Sequence, residues 1–224
     1  MSNFRIRLLI NKTEYITNGL VFNLVANDFN NDTKVWKERV NGFEFKPYNS
    51  SKSPILDKGG VLFNNSPLIV ENTKMSAKNN SSTIEVVYSR GKENSSSSYG
   101  MLGQPNGNII FAYDNGGFVY KPTISGYRWK SELFKLGEIN TVSISDAKES
   151  SLNGNKNTWF TKLWNCGESD ANSIVVGGIN HGKYEAVGIY VYAIRIYDRL
   201  LSLEEQQHNA KCDMALYNFG EIIA

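Results

Sequence analysis

Residues 191–212 read VYAIRIYDRLLSLEEQQHNAKC. The first half carries an apolar, β-branched and aromatic run that stays unbroken until Arg195. The second half carries acids, amides and alanine. A run of the first kind suits a central strand covered on both faces, here 188–198. Strict alternation places Ile189, Val191 and Ala193 on one side and Tyr190, Tyr192, Ile194 and Ile196 on the other. Ser202 stands at an N-cap position with Glu205 three residues on, a capping box. The helix expected from it spans about 202–217, with Leu203, Ala210, Met214 and Tyr217 toward one face and Gly220 as its stop. So short and polar a helix should lie against a sheet.

Outward from that stretch, short strand patterns recur. They fall at 4–10, 19–27, 60–64, 82–90, 139–145, 157–165 and 173–179, with a further pair at 108–114 and 117–122 around Asp114-Asn115-Gly116-Gly117. Asn and Gly tolerate the positive φ that a tight hairpin needs. Polar stretches at 49–54, 78–82, 92–100 and 146–157 read as surface loops. Many short strands separated by turns indicate an all-β fold. The expectation is one β-sandwich domain over 1–224, of jelly-roll type, with its core at about 19–200 and a short C-terminal α-helix.

Composition narrows the function. The chain has 224 residues, 41% hydrophobic and 21% charged, with a formal net charge of +2. That charge, spread among acids, gives no ground for a nucleic-acid partner. No run approaches the roughly 18–20 apolar residues of a membrane span. The opening MSNFRIRLLINKTEY lacks the apolar core of an export signal, so general secretion is not expected. Cys166 and Cys212 are the two cysteines, read as reduced thiols rather than a disulfide.

The closing stretch resembles the signature that ends laminin-G-like, concanavalin A-like jelly rolls. Arg195, Tyr197, Asp198, Arg199, Leu201, Ser202, Glu204 and Glu205 carry the likeness. Upstream, GLVFNL at 19–24, GVLFNNSPLIV at 60–70, STIEVVYSR at 82–90 and SIVVGGI at 173–179 are similar to earlier strands of such domains. The resemblance implies a lectin-like sandwich. It also implies a structural role for the motif: Arg195 and Arg199, flanking Tyr197, would reach loop carbonyls and the glutamates that start the helix. Isolated domains of this kind resemble components of tailed-phage particles. That implies a surface-decorating or fibre protein on the virion, made in the cytoplasm, with other virion proteins or a glycan as partner and an assembly as its working form. A soluble carbohydrate-binding module is the alternative.

Glycan binding asks for exposed aromatics beside amides and charges. The candidates are Tyr127 and Trp129 in GYRWK, and Trp159 and Trp164 in NTWFTKLWN. Trp36 is ambiguous between surface and core. No cofactor is expected. Calcium is the one ion with candidates, Asp28, Asn30 and Asp32 in NDFNND, whose oxygens alternate; the acid expected later in a calcium loop is Arg39 instead. A glycoside hydrolase needs two carboxylates on one face. Glu85 stands alone on its strand, and Glu132 and Glu138 have no partner at usable spacing. On these grounds the sequence reads as non-enzymatic, with glycosidase the third and weakest reading.

Overall fold

A computed structural model describes residues 14–49, 51–73, 82–91, 99–103, 109–114, 117–120, 127–128, 136–144, 150–157, 173–178 and 185–219. In chain order the strands begin with β1 (Leu20–Val25), β2 (Trp36–Lys37), β3 (Glu44–Pro47), β4 (Ile55–Asp57), β5 (Gly60–Asn64) and β6 (Leu68–Glu71). They continue with β7 (Thr83–Arg90), β8 (Tyr99–Gly103), β9 (Ile109–Asp114), β10 (Gly117–Tyr120) and β11 (Tyr127–Arg128). Then come β12 (Ile139–Ile144), β13 (Ser150–Leu152), β14 (Asn155–Asn157), β15 (Ser173–Val176) and β16 (Val187–Tyr197), and the helix α1 (Leu203–Tyr217) closes the series.

Among the described residues the strands form two sheets of eight. The first runs β14-β13-β12-β7-β16-β5-β4, with β1 also on β16; the second runs β11-β10-β9-β8-β15-β6-β3-β2. Every described pairing is antiparallel. The fold is therefore all-β with one short C-terminal helix, as the sequence implies. The sheets face each other across one core. Phe22, Leu24, Val61, Phe63, Val86 and Ile194 from the first sheet pack with Phe45, Leu68, Met101, Leu102, Ile174 and Val176 from the second. Trp36 belongs to that core: it is fully buried, and its indole N–H donates to the Val25 carbonyl at 2.7 Å. Its ring system meets Phe29 edge to face and Phe63 at a tilt of 34°.

β16 organises the first sheet. β7 pairs along one edge of it, while β5 and β1 share the other edge in succession, opposite Val187–Val191 and Ala193–Tyr197. Buried from Gly188 to Tyr197, it is the doubly covered strand that its composition indicates. The strict alternation expected for it fails. Its register against β7 shifts between Val191 and Ala193, leaving Tyr192 as the extra residue of a bulge. Ile189 and Val191 enter the main core before the bulge, Ile194 and Ile196 after it. Tyr190, Tyr192 and Ala193 point outward into a second, smaller cluster with Val87. The bulge resets the phase, so Arg195 and Tyr197 emerge on the outer face.

Two further expectations are corrected. The stretch 146–157 is not simply loop: β13 and β14 form a hairpin there. Asn153 and Gly154 turn it with φ of 52° and 77°, the two left-handed residues of a type I′ turn. The strands are Ser/Asn/Lys-rich and short, so only the Asn-Gly pair signalled them. Likewise, α1 does not bury an apolar stripe. Gln206, Asn209, Ala210, Cys212 and Asp213 are its buried residues, while Leu203, Met214 and Tyr217 are half-buried. The helix ends with Asn218 in the left-handed conformation; Gly220 lies outside the described residues. So do the strand expected at 4–10, Cys166, and all of 157–165 beyond Asn157. No helix among the described residues is long and apolar enough to cross a membrane.

Candidate functional site

The outer face of the first sheet is where the fold gathers its polar chemistry. Glu85 on β7 lies opposite Arg195 on β16 and Ser143 on β12. Once past the bulge, Arg195 faces α1. Its Nε donates to Glu85 Oε2 at 2.9 Å, and its two terminal nitrogens donate to both oxygens of Asp213 at 2.9 and 2.6 Å. Arg195 is 2% exposed, the two carboxyls not at all.

Neighbouring groups complete the cluster. Tyr15 and Thr141 each donate a hydroxyl to Asp213 at 2.9 Å. The Tyr15 ring lies 4.5 Å from the guanidinium carbon. Asn209 donates to Glu85 Oε2 and to the Tyr197 hydroxyl, and its own oxygen accepts from Ile16 N. Tyr197 donates in turn to the Ile16 carbonyl at 3.0 Å. Gln206, Asn209 and Asp213 share one helix face because they are three and four residues apart. A polar sheet face is thus met by a polar helix face.

The electrostatics follow from this geometry. Burial pushes the Glu85 carboxyl above its ordinary value, and the Arg195 charge only partly opposes it. Burial works against the charge on Arg195, but Asp213 and Glu85 more than offset it and hold the guanidinium well above its usual value. Burial likewise raises Tyr15 and Tyr197.

At the start of α1 the motif residues form a second knot. Ser202 Oγ accepts from Glu205 N at 3.3 Å while Glu205 Oε2 accepts from Ser202 N at 2.9 Å, so the capping box is formed. Arg199 grips Glu205 in a fork at 2.8 and 2.6 Å and donates to the Asn18 carbonyl at 2.9 Å. The hydrogen bond from Arg199 holds the Glu205 carboxyl below its ordinary value. Arg199 thus ties a loop carbonyl to a helix-start glutamate. Arg195 differs: it reaches past the helix start to Asp213, deep in the helix.

Two of the three calcium candidates have oxygens engaged within the protein. Both Asp28 oxygens accept from Arg39, at 2.6 and 3.2 Å. Asn30 Oδ1 accepts from the backbone of Asp32 and Thr33 in an Asx turn. Among the described residues no group of three or more His, Cys, Asp or Glu is placed to hold a metal. Of the glycan candidates, Tyr127 contributes backbone to β11, the edge of the second sheet, paired with Tyr120. Trp129, Trp159 and Trp164 lie outside the described residues.

Several residues that matter here carried no legible signal. Glu38 is fully buried and accepts from the backbone of Asn23, Val40 and Asn41 at 2.6–2.8 Å. Asp213, Asn209, Tyr15 and Thr141 look like surface polar residues in the sequence. Only the 3–4 spacing of Gln206, Asn209 and Asp213 hinted at a shared face.

No family model matches the chain, and no curated protein matches it. Solved structures do. A Trypanosoma rangeli sialidase in complex with sialic acid shares 14% identity at a TM-score of 0.64, over 89% of this chain and 33% of that one. A mutant of that sialidase displaying trans-sialidase activity gives 14% and 0.62, over 91% and 34%. The receptor-binding domain of botulinum neurotoxin D gives 14% and 0.59, over 88% and 53%. The chain thus spans about a third of the sialidases and about half of the toxin domain. At such identity the likeness is one of fold, a β-sandwich. It overturns one expectation: a non-enzymatic reading cannot be drawn from this architecture, which sialidases contain as well as a receptor-binding domain.

Proposed function

We propose that the chain is a glycan-binding β-sandwich module carried on the surface of a phage particle. The observation supporting glycan recognition is the sandwich shared with a sialidase in complex with sialic acid and with a toxin's receptor-binding domain. The chain's own chemistry agrees. Tyr127, Trp129, Trp159 and Trp164 stand among charges and amides in the sequence, the combination that stacks on sugar rings and bonds their hydroxyls. The virion setting draws on the laminin-G-like closing motif, with other virion proteins as neighbours.

An array of sialylated and neutral glycans, probed with the purified chain, tests the first part. Selective retention, lost in Trp129→Ala or Trp159→Ala, is the expected result; a blank array overturns glycan recognition. Light scattering and electron microscopy test the setting, where symmetric assembly is expected and a strict monomer at all concentrations counts against it.

A further inference from the structure

We propose that docking of α1 onto the first sheet takes up one proton, held on Glu85 Oε1, which makes the closing helix a proton-coupled latch. One guanidinium faces two carboxyl groups in a site closed to water, and a buried excess charge is costly. One proton makes up the difference.

The hydrogen bonds say where it sits. Asp213 accepts four, two from Arg195 and one each from Tyr15 and Thr141, so both its oxygens are saturated. Glu85 Oε2 accepts two, from Arg195 and Asn209. Glu85 Oε1 accepts none among the described residues and is buried. Ser143, directly across on β12, has a buried hydroxyl that is likewise without a described partner. Side chains so opposed have Cβ atoms about 4.5–5.5 Å apart. A proton on Oε1 gives that hydroxyl a donor.

The groups packed around Glu85 are Arg195 and Tyr197 of β16, Thr141 and Ser143 of β12, Asn209 and Asp213 of α1, and Tyr15 of the segment before β1. Arg195 is the one cation among them, and the tyrosines are held neutral by burial.

The direction of the pH effect follows. Glu85 is raised from 4.5 in the folded chain, so above that pH the docked state binds more protons than the undocked one. The stability that Glu85 contributes is full below 4.5 and declines as pH rises toward the folded value. Within that window the opening constant should grow by up to about tenfold per pH unit.

Hydrogen-exchange protection of the α1 amides, corrected for intrinsic rates and followed from pH 4.5 to neutrality, reads the latch. Protection should fall with pH in the native chain, and Glu85→Gln should remove that dependence. Identical profiles for the two chains overturn the proposal. Infrared spectra of the unaltered chain supply a reading that survives a misfolded variant. A neutral carboxylic-acid carbonyl band at a pH where free carboxylates are ionised, lost on unfolding, supports the latch; its absence overturns it.

Discussion

Arg195 shows how much one residue can carry. Truncating it to methionine leaves Glu85 and Asp213 facing each other in a site with no counter-charge. Breaking a buried pair in this way costs about 3–5 kcal/mol. Chemical denaturation of Arg195→Met should show a loss of that size; a loss below about 1 kcal/mol would mean that the cluster is solvated. The contrast is the exposed Arg39–Asp28 pair, 2.6 Å apart but half in water, whose removal should change stability by less than about 1 kcal/mol. Gly177 is the other sensitive position. Its φ is +77°, and a Cβ there would sit 2.0 Å from Phe63 Cδ1. Gly177→Ala should destabilise by about 2–4 kcal/mol in the same assay, from left-handed backbone strain and overpacking together.

At the scale of elements, the β13–β14 hairpin and α1 depend on each other. Asn153 Oδ1 accepts from Thr141 N at 2.7 Å, and its amide donates to Asn140 Oδ1, tying the turn to β12. A Cβ on Gly154 would lie 3.2 Å from Gln207 Cα and 3.3 Å from Ala210 Cβ. Gly154→Ala therefore strains the turn and lifts the helix at once, and the far-ultraviolet helix signal should melt before the sheet does. Ser202→Ala removes one half of the capping box but leaves the Arg199–Glu205 fork, so a smaller loss of about 1 kcal/mol is expected in thermal unfolding. The hairpin was partly legible, because Asn-Gly has a conformational reason to turn. The buried side of the helix was not, because Gln206, Asn209 and Asp213 look like solvent-facing residues until the surface beneath them is known.

For the whole molecule, burial beneath and beside α1 also sets the alkaline limit. Tyr15, Tyr197 and Tyr217 all titrate above their ordinary value of 10.0, burial being the largest cause for each. The folded chain keeps protons there that the unfolded chain loses, so the stability these three rings contribute should be intact below pH 10 and be lost above it. Melting temperature followed with tyrosinate absorbance checks this: ionisation of these rings should coincide with unfolding, not precede it. The sequence by itself determined the all-β class, the doubly covered final strand and the capped helix after it. Each of these is written in short-range periodicity and in one or two residues of cap or turn chemistry. The tertiary structure decided which way β16 faces after its bulge, and that Glu85 has partners at all. It also decided that the helix docks through charge and amide rather than apolar surface. The physical reason is sequence distance: Glu85, Arg195 and Asp213 meet across three elements, and no local pattern encodes a contact that exists only once the sheet has closed.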